Sequence, residues 1–263
     1  MTLLEAIILG LAQGLTEFLP VSSSGHLVLL MSWFQIEEIG FLFSIVVHAA
    51  SALAILVFFL KLLNELTRKL WLAVLIGSVP AMLVGFLIHR QAEALFNQPR
   101  LVGFALLVTA AFNMVIFWRL RSQPVESEGA EADPASVDRV SWQQGLKVGL
   151  LQALAIIPGI SRSGSTVMAG LVTGLSRQMA FRFSFMLALP AIGGAVLIES
   201  VALLHGAELL TSDLNWWVFV VGAISAFISS LFSLFLLRWM MTRAQFHWFA
   251  LYTFILALAA IFA

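Results

Sequence analysis

Two charged side chains stand where the surrounding sequence is too apolar to solvate them. Arg162 sits within Pro158-Gly159-Ile160-Ser161-Arg162-Ser163-Gly164-Ser165-Thr166, and Glu17 lies shortly before Pro20-Val21-Ser22-Ser23-Ser24-Gly25-His26. An arginine among apolar arms costs at least about 2.5 kcal/mol and calls for an anionic partner. The hydroxyls of Ser161, Ser163, Ser165 and Thr166 surround it, together with the backbone N–H groups of a turn leading into a helix. A helix N-terminus with hydroxyls and a guanidinium is equipped to hold phosphate. The plainer alternative is a structural ion pair with Glu17.

Glu17 has three readings: general base, metal ligand or counter-ion of Arg162. Gln13, four residues earlier, shares its helical face. His26 could act as nucleophile, as acid or base, or as metal ligand, or it could simply pack. Ser22, Ser23 and Ser24 could hydrogen-bond a ligand, cap a helix or supply a nucleophile, and capping is the plainest of these roles for any single one. His48 lies in an apolar run without such neighbours and reads as structural. Trp71, Trp216, Trp217, Trp248 and the single tyrosine fit an aromatic belt. The sequence holds no P-loop, HExxH or DDxxD run, and no Cys for thiol chemistry.

The elements that must position these residues follow from composition. The chain has 263 residues, 61% hydrophobic and 11% charged, with 14 basic and 14 acidic side chains. A soluble domain carries roughly 25% charged residues. With a mean hydropathy of +1.00, the expected class is an all-α integral membrane protein. Zero net charge gives no reason to expect a nucleic-acid partner. The opening MTLLEAIILG lacks a basic n-region and is expected to belong to the mature protein. Six runs suit spanning helices: 41–60, 71–88, 101–118, 183–204, 216–237 and 246–263. Their all-round apolar character argues against a β-barrel. Residues 3–35 and 142–175 are apolar but broken by polar, Gly/Pro-containing centres. Their short arms suit re-entrant hairpins, whose unwound backbone must be buried in protein or line a wet cavity.

The two broken regions repeat. At an offset of 139, Gly10, Leu11, Gln13, Leu15, Ser22, Ser24 and Gly25 fall on Gly149, Leu150, Gln152, Leu154, Ser161, Ser163 and Gly164. The expected organisation is a first repeat over 1–121, a cytoplasmic linker over 122–140 and a second repeat over 141–263. Each repeat holds one re-entrant hairpin plus three transmembrane helices. Three is odd, so the halves should be inverted, with a site near the midplane where the interruptions meet. One orientation puts Lys61, Arg68, Lys69, Arg119, Arg121, Arg139, Lys147, Arg177, Arg182, Arg238 and Arg243 inside, and only Arg90 and Arg100 outside. The positive-inside rule favours it.

The stretches Gln13-Gly14-Leu15-Thr16-Glu17-Phe18-Leu19-Pro20-Val21-Ser22-Ser23-Ser24-Gly25-His26 and Pro158–Thr166 resemble the two signature motifs of the undecaprenyl-diphosphate phosphatase family, also called the bacitracin-resistance protein family. The first has the form (E/Q)xxxE followed by PVSSxGH, and the second PGxSRSxxT. Length, helix pattern and repeat fit the family along the whole chain.

The resemblance implies a multi-pass enzyme of the bacterial inner membrane that removes the terminal phosphate of undecaprenyl diphosphate. It further implies recycling of that C55 carrier for cell-wall synthesis, a link to bacitracin resistance, a site open to the periplasmic side, and a divalent cation, Mg²⁺ or Ca²⁺. Carried over, Glu17, Ser23, His26 and Arg162 match catalytic positions, with Glu17 also the metal ligand. Ser22, Ser24, Ser161, Ser163, Thr166 and Gln13 are expected to bind substrate. Many members carry Glu where this chain has Gln13, which weakens a two-carboxylate metal site. Ser23 is favoured as nucleophile, with His26 as the competitor. The expected partners are undecaprenyl diphosphate and membrane lipid, with a homodimer left open. The alternative from a different class is a polyprenyl-phosphate flippase or secondary transporter using the same midplane site.

Overall fold

The computed structural model describes residues 1–36, 40–60, 67–96, 98–123, 140–205 and 215–262. It is all-helical over those residues, as the composition requires. The first hairpin is α1 (Leu3–Phe18) and α2 (Ser23–Trp33), and α3 (Gly40–Phe58), α4 (Arg68–Phe96) and α5 (Pro99–Ser122) follow. The second hairpin is α6 (Trp142–Leu154) and α7 (Arg162–Val172), followed by α8 (Arg177–His205), α9 (Trp216–Arg243) and α10 (Phe246–Phe262). Residues 124–139 of the expected linker lie outside the described residues, as do Lys61 and Arg139 of the charge argument.

The helix extents differ in places from the expected spans. Among the described residues, four helical stretches are long and apolar enough to cross a membrane: Arg68–Leu87, Arg100–Ser122, Arg177–Val201 and Trp216–Arg243. The runs expected at 41–60 and 246–263 form shorter apolar stretches, Leu42–Phe58 and Phe246–Phe262. At 1.5 Å per residue, 17 residues rise about 26 Å, a little less than the hydrocarbon core of about 30 Å. Helix α4 continues to Phe96, well past the apolar run, because a helix needs no apolar side chains once it leaves lipid. Leu72, Leu75, Met82, Leu83 and Phe86 on α4, and Ile224, Ile228, Phe232 and Phe235 on α9, are exposed and present a surface suited to lipid. The protein is therefore multi-pass.

Both hairpins begin alike. Thr2 and Glu5 form a capping box at the start of α1, and Ser141 and Gln144 form the equivalent box at the start of α6. These pairs fall on each other at the same offset of 139 that aligns the breaks.

The main packings are reciprocal between the halves. Helix α1 lies along α9, and α6 along α4; α3 meets α9, and α8 meets α4. Helices α3 and α8 pair with each other, as do α5 and α10. This pattern is consistent with two repeated halves.

The hairpin arms reach their partners through small residues. Gly10 and Gly14 of α1 abut the backbone of Gly222 and Ala226 in α9, and Gly145 and Gly149 of α6 abut that of Ala73 and Gly77 in α4. Small residues four apart let helix backbones approach closely inside a membrane. A Cβ on Gly149 would collide with the Gly77 carbonyl oxygen. Gly149→Leu should therefore push α6 off α4 and cost about 1–3 kcal/mol or more. The expected readout is a lower yield of monodisperse protein in detergent, with loss of activity in what remains. A normal yield with full activity would show that the close crossing is dispensable.

A core of buried apolar side chains supports the site from the side of α8. Phe18, next to Glu17, packs edge-on against Phe185 with ring centroids 5.4 Å apart. Arg177, expected among the loop bases, is instead buried, and donates to the carbonyls of Leu120, Gln123, Met241 and Thr242 at the ends of α5 and α9. A cation among C-terminal carbonyls suits the helix dipoles.

Candidate active site

The chain must unwind at each hairpin tip, and the freed backbone groups need partners away from water. Helix α5 supplies them with two polar residues one turn apart. Asn113 Nδ2 donates to the Pro20 carbonyl (2.7 Å) in the first tip. Thr109 Oγ1 donates to the Gly159 carbonyl (2.8 Å) and accepts from the Ser161 amide (2.9 Å) in the second. Both side chains are fully buried. Sequence reasoning missed them, although two polar residues four apart within an apolar run are a visible signal.

The tips also hold each other. Ser163 Oγ donates to the Leu19 carbonyl (3.2 Å), and the Gly159 amide donates to Ser24 Oγ (3.4 Å). Ser22 caps α2 by accepting from the Gly25 amide, and Ser161 caps α7 by accepting from the Gly164 amide. Ser22 does so with φ of 70°, a left-handed conformation for a residue with a Cβ. Such strain costs about 1–3 kcal/mol and tends to sit at functional sites.

Glu17 and Arg162 meet where the tips converge. Arg162 Nη2 donates to Glu17 Oε1 at 2.8 Å, across the two hairpins. Both side chains are largely buried, at 8% and 13% exposed for Glu17 and Arg162 respectively. The other carboxylate oxygen, Oε2, accepts from Ser23 Oγ (2.6 Å) and from Gln13 Nε2 (3.2 Å). Arg162 Nη1 is buried and has no hydrogen-bond partner among the described residues. A desolvated guanidinium nitrogen without an acceptor is costly unless an anion arrives to meet it.

His48 belongs to this cluster. Its apolar sequence surroundings read as structural, but its Nε2 lies 3.9 Å from Glu17 Oε2. Its Nδ1 is 2.8 Å from the Ser44 carbonyl, which can only accept, so Nδ1 carries the ring N–H and Nε2 faces the carboxylate. No feature near His48 in sequence points to Glu17; only the packing of α3 against α1 brings them together.

His26 stands apart from the Glu17–Ser23 pair. Its Nδ1 is 2.7 Å from the Ser22 carbonyl and its Nε2 is 2.6 Å from the Tyr252 hydroxyl. Thr166 is turned away, its hydroxyl within hydrogen-bond distance of the Arg162 carbonyl and Ser184 Oγ. Ser22 and Ser24 lie 3.2 Å apart, and Ser161 and Ser163 3.1 Å apart, as hydroxyl pairs at the two helix starts. The structure thus gathers Gln13, Glu17, Ser23 and Arg162, with His48, into one cluster, ties Ser22, Ser24, Ser161 and Ser163 to the backbone of the two tips, and gives His26 and Thr166 other partners.

The match to known proteins covers the same span as this architecture. A family model described as bacitracin resistance protein BacA matches residues 6–259. The chain belongs to the BacA family. Among its relatives, a protein named undecaprenyl-diphosphatase from Campylobacter hominis is 33% identical over 265 residues, covering 100% of this chain and 99% of the relative. One of the same name from Campylobacter fetus subsp. fetus is 36% identical, covering 97% of this chain and 96% of the relative. A third, from Desulfosudis oleivorans, is 37% identical, covering 96% and 95%. Both hairpin tips lie inside the matched span, so the Glu17–Arg162 pair is part of the BacA-family region.

A divalent cation can be tested against the donors present. Among the described residues no group of three His, Cys, Asp or Glu side chains could hold one. Gln13 Oε1, however, is a buried amide oxygen with no hydrogen-bond partner among the described residues, on the residue hydrogen-bonded to Glu17. A hard cation takes carboxylate and amide oxygens and completes its shell with phosphate oxygens and water. Glu17 and Gln13 fit such a partial site.

Proposed function

We propose that this BacA-family protein hydrolyses undecaprenyl diphosphate to the monophosphate and inorganic phosphate, recycling the lipid carrier for cell-wall synthesis. The observation that carries this reading is the Arg162–Glu17 pair joining the two hairpin tips, with the Ser23 hydroxyl on the same carboxylate. The relatives' name, undecaprenyl-diphosphatase, supports the substrate. Bacitracin resistance follows in kind, since faster turnover of the diphosphate leaves less of it to be sequestered.

The residues divide the work by charge. Phosphoryl transfer asks mainly for positioning and charge neutralisation. Arg162 offers the diphosphate its unpartnered Nη1 and, by releasing Glu17, its Nη2 as well. The N-termini of α2 and α7, with Ser22, Ser24, Ser161 and Ser163, add donors around the phosphates. Ser23 Oγ attacks the terminal phosphorus while Glu17 Oε2, already its acceptor, takes the proton. The new Ser23 Oγ–P bond replaces the anhydride P–O bond, and the lipid monophosphate leaves. The leaving monophosphate takes that proton from Glu17. Water, deprotonated by the carboxylate so regenerated, then attacks the phosphorus and breaks the Ser23 Oγ–P bond, with Glu17 returning the proton to Ser23 Oγ. Glu17 and Gln13 would hold a Mg²⁺ or Ca²⁺ ion, which when bound shares the negative charge of the diphosphate.

The site is read as opening to the outer face of the bacterial inner membrane, with the two halves in opposite orientation. The excess of basic residues in the loops read as inside supports that placement. The lipid tail would lie along the apolar faces beside the hairpins while the head group stays wet.

The test is phosphate release from purified protein in detergent given a polyprenyl diphosphate, with and without a chelator. Release is expected, falling with chelator and returning when Mg²⁺ or Ca²⁺ is restored. Binding of the lipid without any release would instead be the behaviour of a transporter. Release indifferent to chelator would remove the cation from the reaction.

A further inference from the structure

We propose that Tyr252 is a positioning residue for His26, its hydroxyl fixing the orientation of an imidazole whose tautomer the Ser22 carbonyl sets. The role in turnover rests on the phosphatase reading above; the contact itself does not.

The argument starts at the other ring nitrogen. The Ser22 carbonyl, 2.7 Å from His26 Nδ1, can only accept. In the neutral imidazole Nδ1 must therefore carry the proton, and Nε2 presents a bare lone pair. The atom opposite Nε2 is the Tyr252 hydroxyl, 2.6 Å away, which must donate. The rings also lie nearly parallel, 13° between planes with centroids 5.7 Å apart. Both nitrogens and one face of the imidazole are thus set by named groups. Ser22 sets which nitrogen carries the proton, and Tyr252 sets where the other one points.

The contact is hard to explain as a belt tyrosine. Tyr252 is 47% exposed, as a residue at the membrane boundary would be. A belt tyrosine, however, directs its hydroxyl to head groups or water. This one directs it to an imidazole 226 positions earlier in the chain. The bond also runs from α10, the last helix of the second half, to α2 in the hairpin of the first. Arg162 already reaches Glu17 from the second half, so both halves supply side chains to both parts of the cluster.

A division of labour follows. With Nε2 on Tyr252 and Nδ1 on Ser22, His26 has no lone pair free for the Ser23 hydroxyl, which rests on Glu17 instead. The structure assigns Ser23's proton to Glu17 and not to His26.

The experiment uses the fact that the full chain contains one tyrosine. Protein labelled at the tyrosine ring carbon that bears oxygen gives a single NMR resonance in detergent or nanodiscs. That resonance should move in His26→Ala and in His26→Gln, each checked for monodisperse elution. A resonance unmoved in both would overturn the contact. In the phosphate-release assay, Tyr252→Phe keeps the stacked ring and loses only the hydroxyl. Its kcat should fall about 10- to 100-fold, the range for removing a group that orients a functional histidine, with KM little changed. Wild-type kcat in Tyr252→Phe would reduce Tyr252 to packing. A rise in KM with kcat intact would make it a substrate contact instead of a positioning group. Were the wild type to release no phosphate, the phosphatase reading would fail while the resonance still decided the Tyr252–His26 pair.

Discussion

Arg162→Ala should release no phosphate above background from a polyprenyl diphosphate, a loss of about 10³-fold or more. An arginine that meets transition-state charge in phosphoryl transfer is worth about 10³–10⁵ in kcat. Here one guanidinium serves two purposes. Nη2 holds Glu17 Oε1, and Nη1 lies buried where the hairpin tips converge, without a partner among the described residues. Arg162→Lys keeps the charge but has no planar fork to satisfy both directions, so it should recover little activity. Stability needs a separate readout, because removing one partner of a buried pair leaves the other uncompensated, at about 3–5 kcal/mol. Glu17 in Arg162→Ala would retain only Ser23 and Gln13 as hydrogen-bond donors. The double variant Arg162→Ala/Glu17→Gln removes that orphan charge. It should recover much of the thermal stability and none of the activity. Activity near wild type in Arg162→Ala would take the guanidinium out of the reaction.

Arg162 and Glu17 were legible in the sequence because a charge in an apolar segment demands a partner however the chain folds. The broken hairpins were legible for a similar reason, since Pro20 and Pro158-Gly159 interrupt runs that would otherwise span. The offset of 139 pointed to two copies of one unit, and the matched capping boxes at Thr2–Glu5 and Ser141–Gln144 bear on the same point. What the sequence hid is tertiary in origin. His48 meets Glu17 only because α3 packs beside α1, and nothing local to His48 carries that information. Tyr252 reads as an aromatic at the membrane boundary because exposure and hydrogen-bonding direction are separate properties, and only exposure follows from hydropathy. Thr109 and Asn113 were visible as polar residues on one face, but their purpose depends on which carbonyls the unwound tips expose. The length of α4 was hidden because hydropathy marks where lipid ends, whereas backbone hydrogen bonding marks where the helix ends.

Ser23→Ala should lower hydrolysis on the order of 10⁴-fold or more, as expected when a nucleophile and not a binding group is removed. The geometry separates the two candidates the sequence left open. Ser23 Oγ is 2.6 Å from a carboxylate oxygen, the arrangement that activates a hydroxyl for attack. His26 has one nitrogen on the Ser22 carbonyl and the other on the Tyr252 hydroxyl, so it must break a contact before it can attack anything. Quenching a reaction with terminally labelled diphosphate should therefore trap label that survives acid, as phosphoserine does. The label should vanish in Ser23→Ala and persist in His26→Ala, where only its rate of formation falls. Glu17→Gln should also abolish labelling, because the amide cannot take the serine proton even though it can still accept the hydroxyl's hydrogen bond. Acid-labile label that persists in Ser23→Ala would move the nucleophile to histidine and leave the serine as a cap at the start of α2. The short Ser23–Glu17 contact would then need another purpose, and the nearest one on the same carboxylate is to hold it still for Arg162.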